Sequence, residues 1–213
     1  MNALWDTYGN LLVQALVTHT IYVLMSVGCG FVLGLAGGIL LSRWPKISIF
    51  LLPVLSLLQT IPGLVFIGVL FLYLGMTPLT VIVALAVYAM FPVLKNTYTG
   101  LLGVEPKYLD AAKGCGMNSW QSLVKVELPL ALPSIMAGLR LATIYTVSWA
   151  VLAAMIGLGG LGDFVYQGTS SNNNELILLG AIPAALLALA LGALVDLLQK
   201  IITPRGLRKG AKL

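Results

Sequence analysis

Charged residues are scarce in this chain of 213 residues. Asp, Glu, Lys and Arg make up 9% of it, whereas they make up about 25% of an ordinary soluble domain. Hydrophobic residues account for 59%, and the mean hydropathy is +1.00. A shortage of charge this deep argues against a soluble protein and indicates that most of the chain lies in a lipid bilayer.

The residues from which catalytic and metal sites are built are also few. One histidine, His19, and two cysteines, Cys29 and Cys115, provide no disulfide framework and no metal-binding spacing. The motifs G-x-x-x-x-G-K-[ST], H-E-x-x-H and G-x-S-x-G do not occur in the sequence. We therefore expect a protein that is not an enzyme and binds no cofactor of its own. His19 is expected at the membrane–water interface, near the outer end of the first predicted span.

The basic residues are confined to three parts of the chain. All 12 Lys and Arg lie at Arg43 and Lys46, between Lys95 and Arg140, or between Lys200 and Lys212. The net charge of +5 could suggest a nucleic-acid partner. Clusters of Lys and Arg separated by long apolar stretches are instead typical of cytoplasmic loops between membrane spans, so we expect no nucleic acid.

Five stretches are apolar enough to cross a bilayer as helices of about 20 residues. The predicted spans are residues 19–41, 47–74, 79–94, 133–158 and 176–201. Basic clusters follow the first, third and fifth spans, so the positive-inside rule predicts an outer N-terminus and a cytoplasmic C-terminus. The predicted fold is an all-α integral membrane protein with one transmembrane domain, a cytoplasmic loop at 95–132 and an outer loop at 158–175.

The second span is interrupted by the sequence QTIPG, residues 59–63. Pro62 removes a backbone donor and Gly63 loosens the chain, so we predict a kink or break near mid-membrane. Gln59 and Thr60 add polar groups at the same depth. Two interpretations remain open here: a bend that lines a pathway, and a kink required for packing.

Small residues recur every four positions in two spans, a spacing that lets helix backbones approach closely. We expect these stripes to pack helices within the fold. They are Ser26, Gly30, Gly34 and Gly38 in the first span, and Gly180, Ala184, Ala188 and Gly192 in the last.

The cytoplasmic loop contains two short helical patterns separated by glycines. Pro106 suits a first helical position, and Gly114 and Gly116 end the first helix. Asn118 or Ser119 is a candidate cap for a second helix, which Leu128-Pro129 is predicted to end. Trp120, Leu123 and Val124 are spaced to form one apolar face. A structured cytoplasmic loop with such a face indicates a docking site for another protein.

The loop resembles the EAA signature of ABC importer permeases, E-A-A-x3-G-x9-I-x-L-P. Its spacing is matched throughout, with Asp110 in place of Glu and Val126 in place of Ile. In that family the region forms coupling helices that sit in a cleft of the cytoplasmic ATPase subunit. The resemblance therefore implies a coupling role for Asp110, Ala111, Ala112, Gly116, Trp120, Val126, Leu128 and Pro129.

Further segments are similar to the permeases of osmoprotectant importers, which carry glycine betaine, carnitine, choline and related quaternary amines. They include QTIPG, FPVLKNTYTGL, VELPLALPSIMAGLR and IGLGGLGDFVYQG, and the likeness covers residues 20–207. It implies a multi-pass permease of a bacterial cell membrane with the fold of a type I importer. The implied partners are membrane lipid, two copies of an ATPase that binds ATP and Mg, a second permease chain, which is either the same chain or a paralogue, and an external binding protein.

Two further groups of residues are predicted to serve transport. Polar residues within the spans are candidates for the translocation path because lipid exposure of such groups is costly: Gln59, Thr60, Pro62, Thr143, Thr146 and Ser148. In the outer loop, an amphipathic piece at Leu161 to Tyr166 is expected on the membrane surface. Its exposed end is the candidate docking surface for the binding protein: Asn172, Asn173, Asn174 and Glu175.

Three other hypotheses for the function remain. A methionine-type or other amino-acid importer permease shares the five-helix plan. An ion-coupled secondary transporter usually places ionisable groups within its spans. Here Asp163 belongs to the outer connection, and Asp196 is expected to pair with Lys200 four residues later. A membrane protease is disfavoured because no serine–histidine arrangement is present.

Overall fold

The computed structural model describes residues 2–204, without the side chains of residues 2–6 and 155. Four of the basic residues used for the topology prediction, Arg205, Arg208, Lys209 and Lys212, lie outside the described residues. All regular structure between residues 2 and 204 is helical. The helices are α1 Asn2–Arg43, α2 Pro45–Leu58, α3 Gly63–Leu74, α4 Pro78–Leu102, α5 Pro106–Gly114, α6 Ser119–Ser122, α7 Leu128–Ala150, α8 Gly162–Ser170 and α9 Asn174–Ile202.

Two irregular helical turns join these elements. A π-helical turn, Leu123–Glu127, connects α6 to α7, and a 3-10 helix, Val151–Ile156, continues α7 at its other end.

Four helical stretches are long and apolar enough to cross a membrane: α1 from Thr7, α4, α9 and the continuous run Ser119–Ala154, which contains α7. The fifth candidate span is the pair formed by α2 and α3, which meet at an angle of 90°. The predicted break at QTIPG is therefore confirmed, and it is a right-angled bend. The orientation of the termini stays a prediction.

Two helices extend beyond the predicted membrane spans. The first helix begins at Asn2, before the predicted span start at residue 19, and α4 runs to Leu102, past the predicted span end at residue 94. A hydropathy pattern indicates only the apolar part of a helix. The helix itself can continue into a polar stretch when the polar side chains there form hydrogen bonds. In α4 the Asn96 amide donates to Pro92 O at 2.8 Å, and Ser134 of α7 donates to Asn96 O at 2.8 Å.

The second loop helix was predicted to end at Leu128-Pro129, and this prediction is wrong. The chain remains helical from Ser119 to Ala150 through the π-helical turn. Proline lacks the N–H for an ordinary i to i−4 bond. The turn before it is widened, and Leu128 N donates to Leu123 O, five residues back. A wider turn preserves helical continuity where the proline would otherwise interrupt it.

The small-residue stripes pack helices within the fold, as predicted. A Cβ on Gly34 would lie 2.6 Å from Met90 O, and one on Gly38 would lie 2.6 Å from Thr97 Cβ, so α1 runs backbone to backbone along α4. In α9, Gly180 approaches Leu161 O equally closely. Such close contact supplies dispersion energy where lipid provides no hydrophobic drive.

The core lies around α4, which packs between α1 and α7, while α9 packs on α7 and on the short outer helix α8. Its buried centre includes Val23, Val81, Leu85 and Val147. His19 belongs to this interior and not to the interface predicted for it. It is fully buried, and its Nε2 donates to Val147 O at 3.1 Å because α1 continues past it and α7 packs alongside.

Candidate functional site

The predicted glycine elbow between α5 and α6 is present and has a well-defined hydrogen-bond pattern. Gly116 has φ +74°, a conformation that glycine adopts at little cost. Gly116 N donates to Lys113 O at 2.9 Å and Met117 N donates to Ala112 O at 3.0 Å. These two bonds form a Schellman motif, which ends α5 and turns the chain.

A capping box starts α6 only two residues after the glycine. Gln121 N donates to Asn118 Oδ1 at 2.9 Å, and Asn118 N donates to Gln121 Oε1 at 3.0 Å. Of the two predicted caps, Asn118 is therefore the one used. We refer to residues 105–122, which contain α5, the turn and α6, as the elbow segment.

The elbow segment has an exposed side that differs from the predicted one. Trp120 is 71% exposed and Val124 is also exposed, but Leu123 is buried against Leu101 and Ile135. The predicted shared face of Trp120, Leu123 and Val124 is thus wrong. The π-helical turn begins at Leu123, where the chain joins the membrane core.

The EAA-like residues divide between surface and interior. Asp110 and Ala111 are exposed, and Asp110 Oδ1 lies 3.6 Å from Lys113 Nζ. Ala112 is 3% exposed and packs within the chain. The residues that close the motif are partly buried beside the membrane helices: Val126, Leu128 and Pro129.

An exposed ion pair lies at the start of the elbow segment. Lys107 Nζ is 2.6 Å from Glu105 Oε2, and both side chains are more than half exposed. Hydrogen bonding to this carboxylate raises the pKa of Lys107 above its ordinary value. Lysine is protonated at neutral pH even at its ordinary pKa, so the shift alters its charge only at alkaline pH.

The bend between α2 and α3 is tied to α4 at two points. Tyr88 Oη donates to Ile61 O at 2.7 Å, and Gln59 Nε2 donates to Tyr88 O at 3.3 Å. The Thr60 hydroxyl bonds within its own turn, to Leu57 O. Thr60 and Pro62 are exposed and Gln59 is partly buried, so this polar group lies on the accessible side of the bend.

Three aromatic rings pack beside the bend, and the sequence analysis did not single them out. Tyr88 and Trp149 stack at 5.0 Å between ring centroids, and Phe66 meets Tyr88 edge to face at 5.5 Å. A Cβ on Gly63 would lie 2.1 Å from Trp149 Cε3. The glycine after Pro62 was a signal for close approach, but its aromatic partner lies 86 residues away in sequence.

The path candidates in α7 are not brought together with those at the bend. Thr143 and Thr146 are buried inside the chain, and their hydroxyls donate to Leu139 O and Ala142 O of the same helix. Ser148 is exposed, and it also donates within the helix, to Ile144 O. This placement does not favour Thr143 and Thr146 as path residues.

The predicted amphipathic piece of the outer loop corresponds to the short helix α8. Leu161 and Phe164 are buried, whereas Tyr166 is exposed. Asp163 lies in the first turn of α8, and partial burial raises its pKa above the ordinary value.

The predicted docking residues follow α8 and are all exposed. Asn172 has φ +53°, and Asn173 caps α9 through its side-chain oxygen, which accepts from Glu175 N at 3.0 Å. Asn174 and Glu175 form the first turn of α9.

Asp196 does not form the predicted pair with Lys200. Its Oδ1 accepts from Arg140 Nε at 2.9 Å, so the ion pair joins α9 to α7. The four-residue spacing on one helix favoured Lys200, but α7 packs directly against α9 and brings a guanidinium closer.

A protein family described as "Binding-protein-dependent transport system inner membrane component" matches residues 26–207 of the chain. The chain is 41% identical over 200 residues to the carnitine transport permease protein OpuCB of Listeria monocytogenes, covering 94% of this chain and 91% of that protein. It is 36% identical over 203 residues to the glycine betaine/carnitine/choline transport system permease protein OpuCB of Bacillus subtilis (strain 168), covering 95% and 94%.

The fold is shared with solved transporter structures. The inward-facing MetNI methionine ABC transporter has a chain that superposes with a TM-score of 0.82 at 23% identity, covering 93% of this chain and 99% of that one. An amino acid ABC transporter with histidines has a TM-score of 0.75 at 20% identity, covering 92% and 95%. At such identities the likeness concerns the fold alone.

Proposed function

The chain belongs to the family of binding-protein-dependent transport system inner membrane components, and we propose that it is the permease subunit of an ABC importer for a quaternary-amine osmoprotectant. The proposed substrates are glycine betaine, carnitine, choline or a similar compound. The chain is a membrane protein and contributes the transport path. A partner ATPase binds ATP and Mg and hydrolyses the ATP.

The observation that carries the importer function is the elbow segment. It presents exposed Asp110, Ala111 and Trp120 around a glycine turn whose backbone hydrogen bonds are satisfied. An exposed aromatic side chain suits insertion into a partner's cleft, because aromatic side chains provide much contact area in interfaces. Ala112 is 3% exposed and packs beneath this surface.

The substrate class rests on the curated relatives, whose names specify carnitine, glycine betaine and choline. A quaternary ammonium ion has no N–H to donate and is held best by aromatic faces. At the bend, Tyr88 and Trp149 already stack on each other. This arrangement supports a path that attracts the solute weakly, while an external binding protein supplies tight recognition.

The path is proposed to run past the bend. Gln59, Thr60 and Pro62 give it polar and small groups, with Ser148 as a weaker candidate on α7. Asn172, Asn173, Asn174 and Glu175 form an exposed corner between α8 and the first turn of α9, proposed to receive the binding protein.

A second permease chain and two ATPase subunits are proposed to complete the importer. The bent pair exposes large apolar side chains, among them Phe50, Leu72 and Tyr73, each more than three-quarters exposed. Such surfaces need lipid or another helix bundle as a neighbour. A path closed by two chains would cover part of this surface, whereas five helices alone enclose little.

Transport in proteoliposomes tests the function. The chain would be purified with its ATPase, the second permease and the binding protein, and uptake of labelled carnitine, glycine betaine, choline and methionine measured with ATP inside. We expect uptake of a quaternary amine that requires ATP and persists when ionophores remove ion gradients. Uptake of methionine alone would support the amino-acid importer, and uptake driven by an ion gradient without ATP would overturn the proposal.

The docking role of the elbow segment has its own test. Trp120→Ala removes an exposed ring and leaves the capping box intact, so the membrane part should keep its thermal stability. We expect the ATPase to dissociate more readily during purification and uptake to fall. Tyr145→Ala is the matched control, because this aromatic is also exposed but belongs to α7. Equal ATPase retention in the Trp120→Ala variant and the wild-type complex would contradict the docking role.

A further inference from the structure

A buried carboxylate connects the elbow segment to the end of α1. Glu127 Oε2 accepts from Arg43 Nη2 at 2.7 Å, and Glu127 Oε1 accepts from Ser122 Oγ at 3.1 Å. The Glu127 side chain is 7% exposed, whereas that of Arg43 is 42% exposed. Both carboxylate oxygens are therefore engaged, each by a different part of the chain.

The three residues lie at the junction of several helices. Ser122 ends α6, Glu127 ends the π-helical turn before α7, and Arg43 is the last residue of α1. Pro45 starts α2 only two residues after Arg43, and α2 leads to the bend. The carboxylate thus connects the elbow segment, by one ion pair and a short stretch of backbone, to the helix pair that carries Gln59 and Thr60.

The helical connection from the elbow segment to α7 is less rigid than a regular α-helix. The π-helical turn has wider geometry than an α-helix. Pro129, in the first turn of α7, has no N–H for the carbonyl of Lys125 four residues before it. A displacement of α6 can be absorbed at such a turn. The Arg43–Glu127–Ser122 contact spans the turn from outside and provides a second connection.

The energetics of a buried ion pair make this connection stiff. A carboxylate removed from water is stable only while it is paired and hydrogen-bonded, so separating it from Arg43 is unfavourable. Movement of α6 and movement of the α1–α2 junction are therefore linked. An exposed pair such as Glu105–Lys107 exchanges its partner for water at little cost and cannot provide the same link.

We propose that Glu127, held by Arg43 and Ser122, is a positioning residue that transmits movement of the elbow segment to α1 and the bent α2–α3 pair. The proposal rests on the proposed importer function. It assigns to the Arg43–Glu127 pair the coupling between ATPase movement and the path, and it gives the pair no contact with solute or nucleotide.

The test measures how strongly the loaded binding protein stimulates ATP hydrolysis by the reconstituted complex. Glu127→Gln keeps the shape and an acceptor for Ser122 but removes the charge, and Arg43→Gln removes its partner. We expect both variants to assemble and keep basal hydrolysis while stimulation falls by about fivefold or more, the lower end of ordinary coupling between sites. Arg43→Lys should retain more of the stimulation than Arg43→Gln does. The Arg43→Gln/Glu127→Gln double variant should lose no more stimulation than either single variant.

Arg140→Gln is the matched control. It also breaks an ion pair between two helices, with Asp196 of α9, but has no contact with Glu127 or the elbow segment. We expect stimulation within about twofold of wild type, since unconnected sites act independently. Equal loss of stimulation in this variant would show a general effect of broken ion pairs and overturn the proposal, as would unchanged stimulation in Glu127→Gln.

If the Glu127→Gln and Arg43→Gln complexes fail to assemble, Ser122→Ala provides the test instead. It keeps the ion pair and removes only the contact from α6, so stimulation should fall without loss of thermal stability. Unchanged stimulation in this variant would then overturn the proposal. Failure of the proposed function is recognised separately, because the wild-type complex itself would show neither stimulation nor uptake.

Discussion

Two of the glycine-containing breaks between helices of residues 2–204 were predicted from the sequence, the bend between α2 and α3 and the elbow between α5 and α6. At the elbow, Gly116 has φ +74°, and among residues 2–204 no atom lies within 4 Å of the position of a Cβ. At the bend, Gly63 has an ordinary helical backbone, but Trp149 occupies the space of a Cβ. One glycine is required for its conformation and the other for its small size.

This difference indicates how each interruption behaves. The elbow is surrounded by solvent, so it keeps its shape through local hydrogen bonds and presents its surface to a partner. The bend is held by contacts with α4 and α7, so its shape depends on the packing of other helices. A change in helix packing would therefore alter the bend, while the elbow moves as a unit.

The largest effect is expected from Gly63→Ala. The new methyl group would lie 2.1 Å from Trp149 Cε3, so the ring or α3 must move. Overpacking of this kind costs about 1–3 kcal/mol or more, and thermal unfolding in detergent should show it. Gly68→Ala on the same helix is the control, because within the described part of the chain nothing lies within 4 Å of that Cβ. Combination with Trp149→Leu should restore part of the stability. Additive losses in that double variant would mean that the contact does not shape the bend.

The second effect concerns Gly116→Val. A β-branched residue at φ +74° costs about 1–2 kcal/mol, with no clash to relieve. The turn should change shape, so uptake and stimulated ATP hydrolysis fall while the membrane helices remain folded. Gly114→Val is the control, since this glycine is close by, has no positive φ and is open to solvent. Gly116→Asn should be milder, because Asn tolerates the left-handed region. Wild-type uptake in Gly116→Val would show that the elbow has no coupling role.

A smaller effect is expected from Tyr88→Phe. It removes the hydroxyl that donates to Ile61 O and leaves the ring stack in place. The loss of one such hydrogen bond costs about 1 kcal/mol, and a cysteine at position 60 should react faster with a water-soluble thiol reagent. Tyr98→Phe provides the comparison, because its hydroxyl contacts Ser48 away from the bend. If both variants changed the reactivity equally, the Tyr88 hydroxyl would not be what holds the bend.

The smallest effect is expected from Glu105→Gln beside the elbow. It removes the carboxylate that raises the pKa of Lys107, so that pKa should fall toward its ordinary 10.5. Because the folded-state pKa is raised, the contribution to stability is present below the ordinary value and is lost only as the pH rises through the folded value. We expect no change in unfolding or uptake in the neutral range, and a lower Lys107 pKa by pH-dependent lysine labelling. A large loss of stability would mean that the elbow depends on this ion pair.

Much of the fold was predictable from local signals. Low charge and five apolar stretches predicted the membrane helices, Pro62-Gly63 predicted the break, and the spacing Gly30, Gly34, Gly38 predicted the packing of α1. The elbow followed from Gly116 and Asn118, whose roles depend on their own backbone neighbours. These features involve residues close in sequence, where propensity and periodicity apply directly.

The misassigned residues depend on neighbours that are distant in sequence. His19 is buried because α7 supplies Val147, Asp196 pairs with Arg140 because α9 packs on α7, and Leu123 turns inward at the π-helical turn. The path role of Thr143 and Thr146 stays a prediction, although both side chains face the interior of the chain. Polarity alone does not say which side of a helix faces a neighbour.

The amino-acid pattern was sufficient for the membrane class, the number of candidate spans and the position of both interruptions, because each depends on local composition and backbone chemistry. The partners across the fold could not be read from it: Trp149 against Gly63, Tyr88 on Ile61 and Arg43 on Glu127 are 86, 27 and 84 residues apart. Such pairs form only when helices pack, since close packing selects which side chains meet. The contacts that hold the bend and the elbow segment in place were therefore established by the three-dimensional arrangement of the helices.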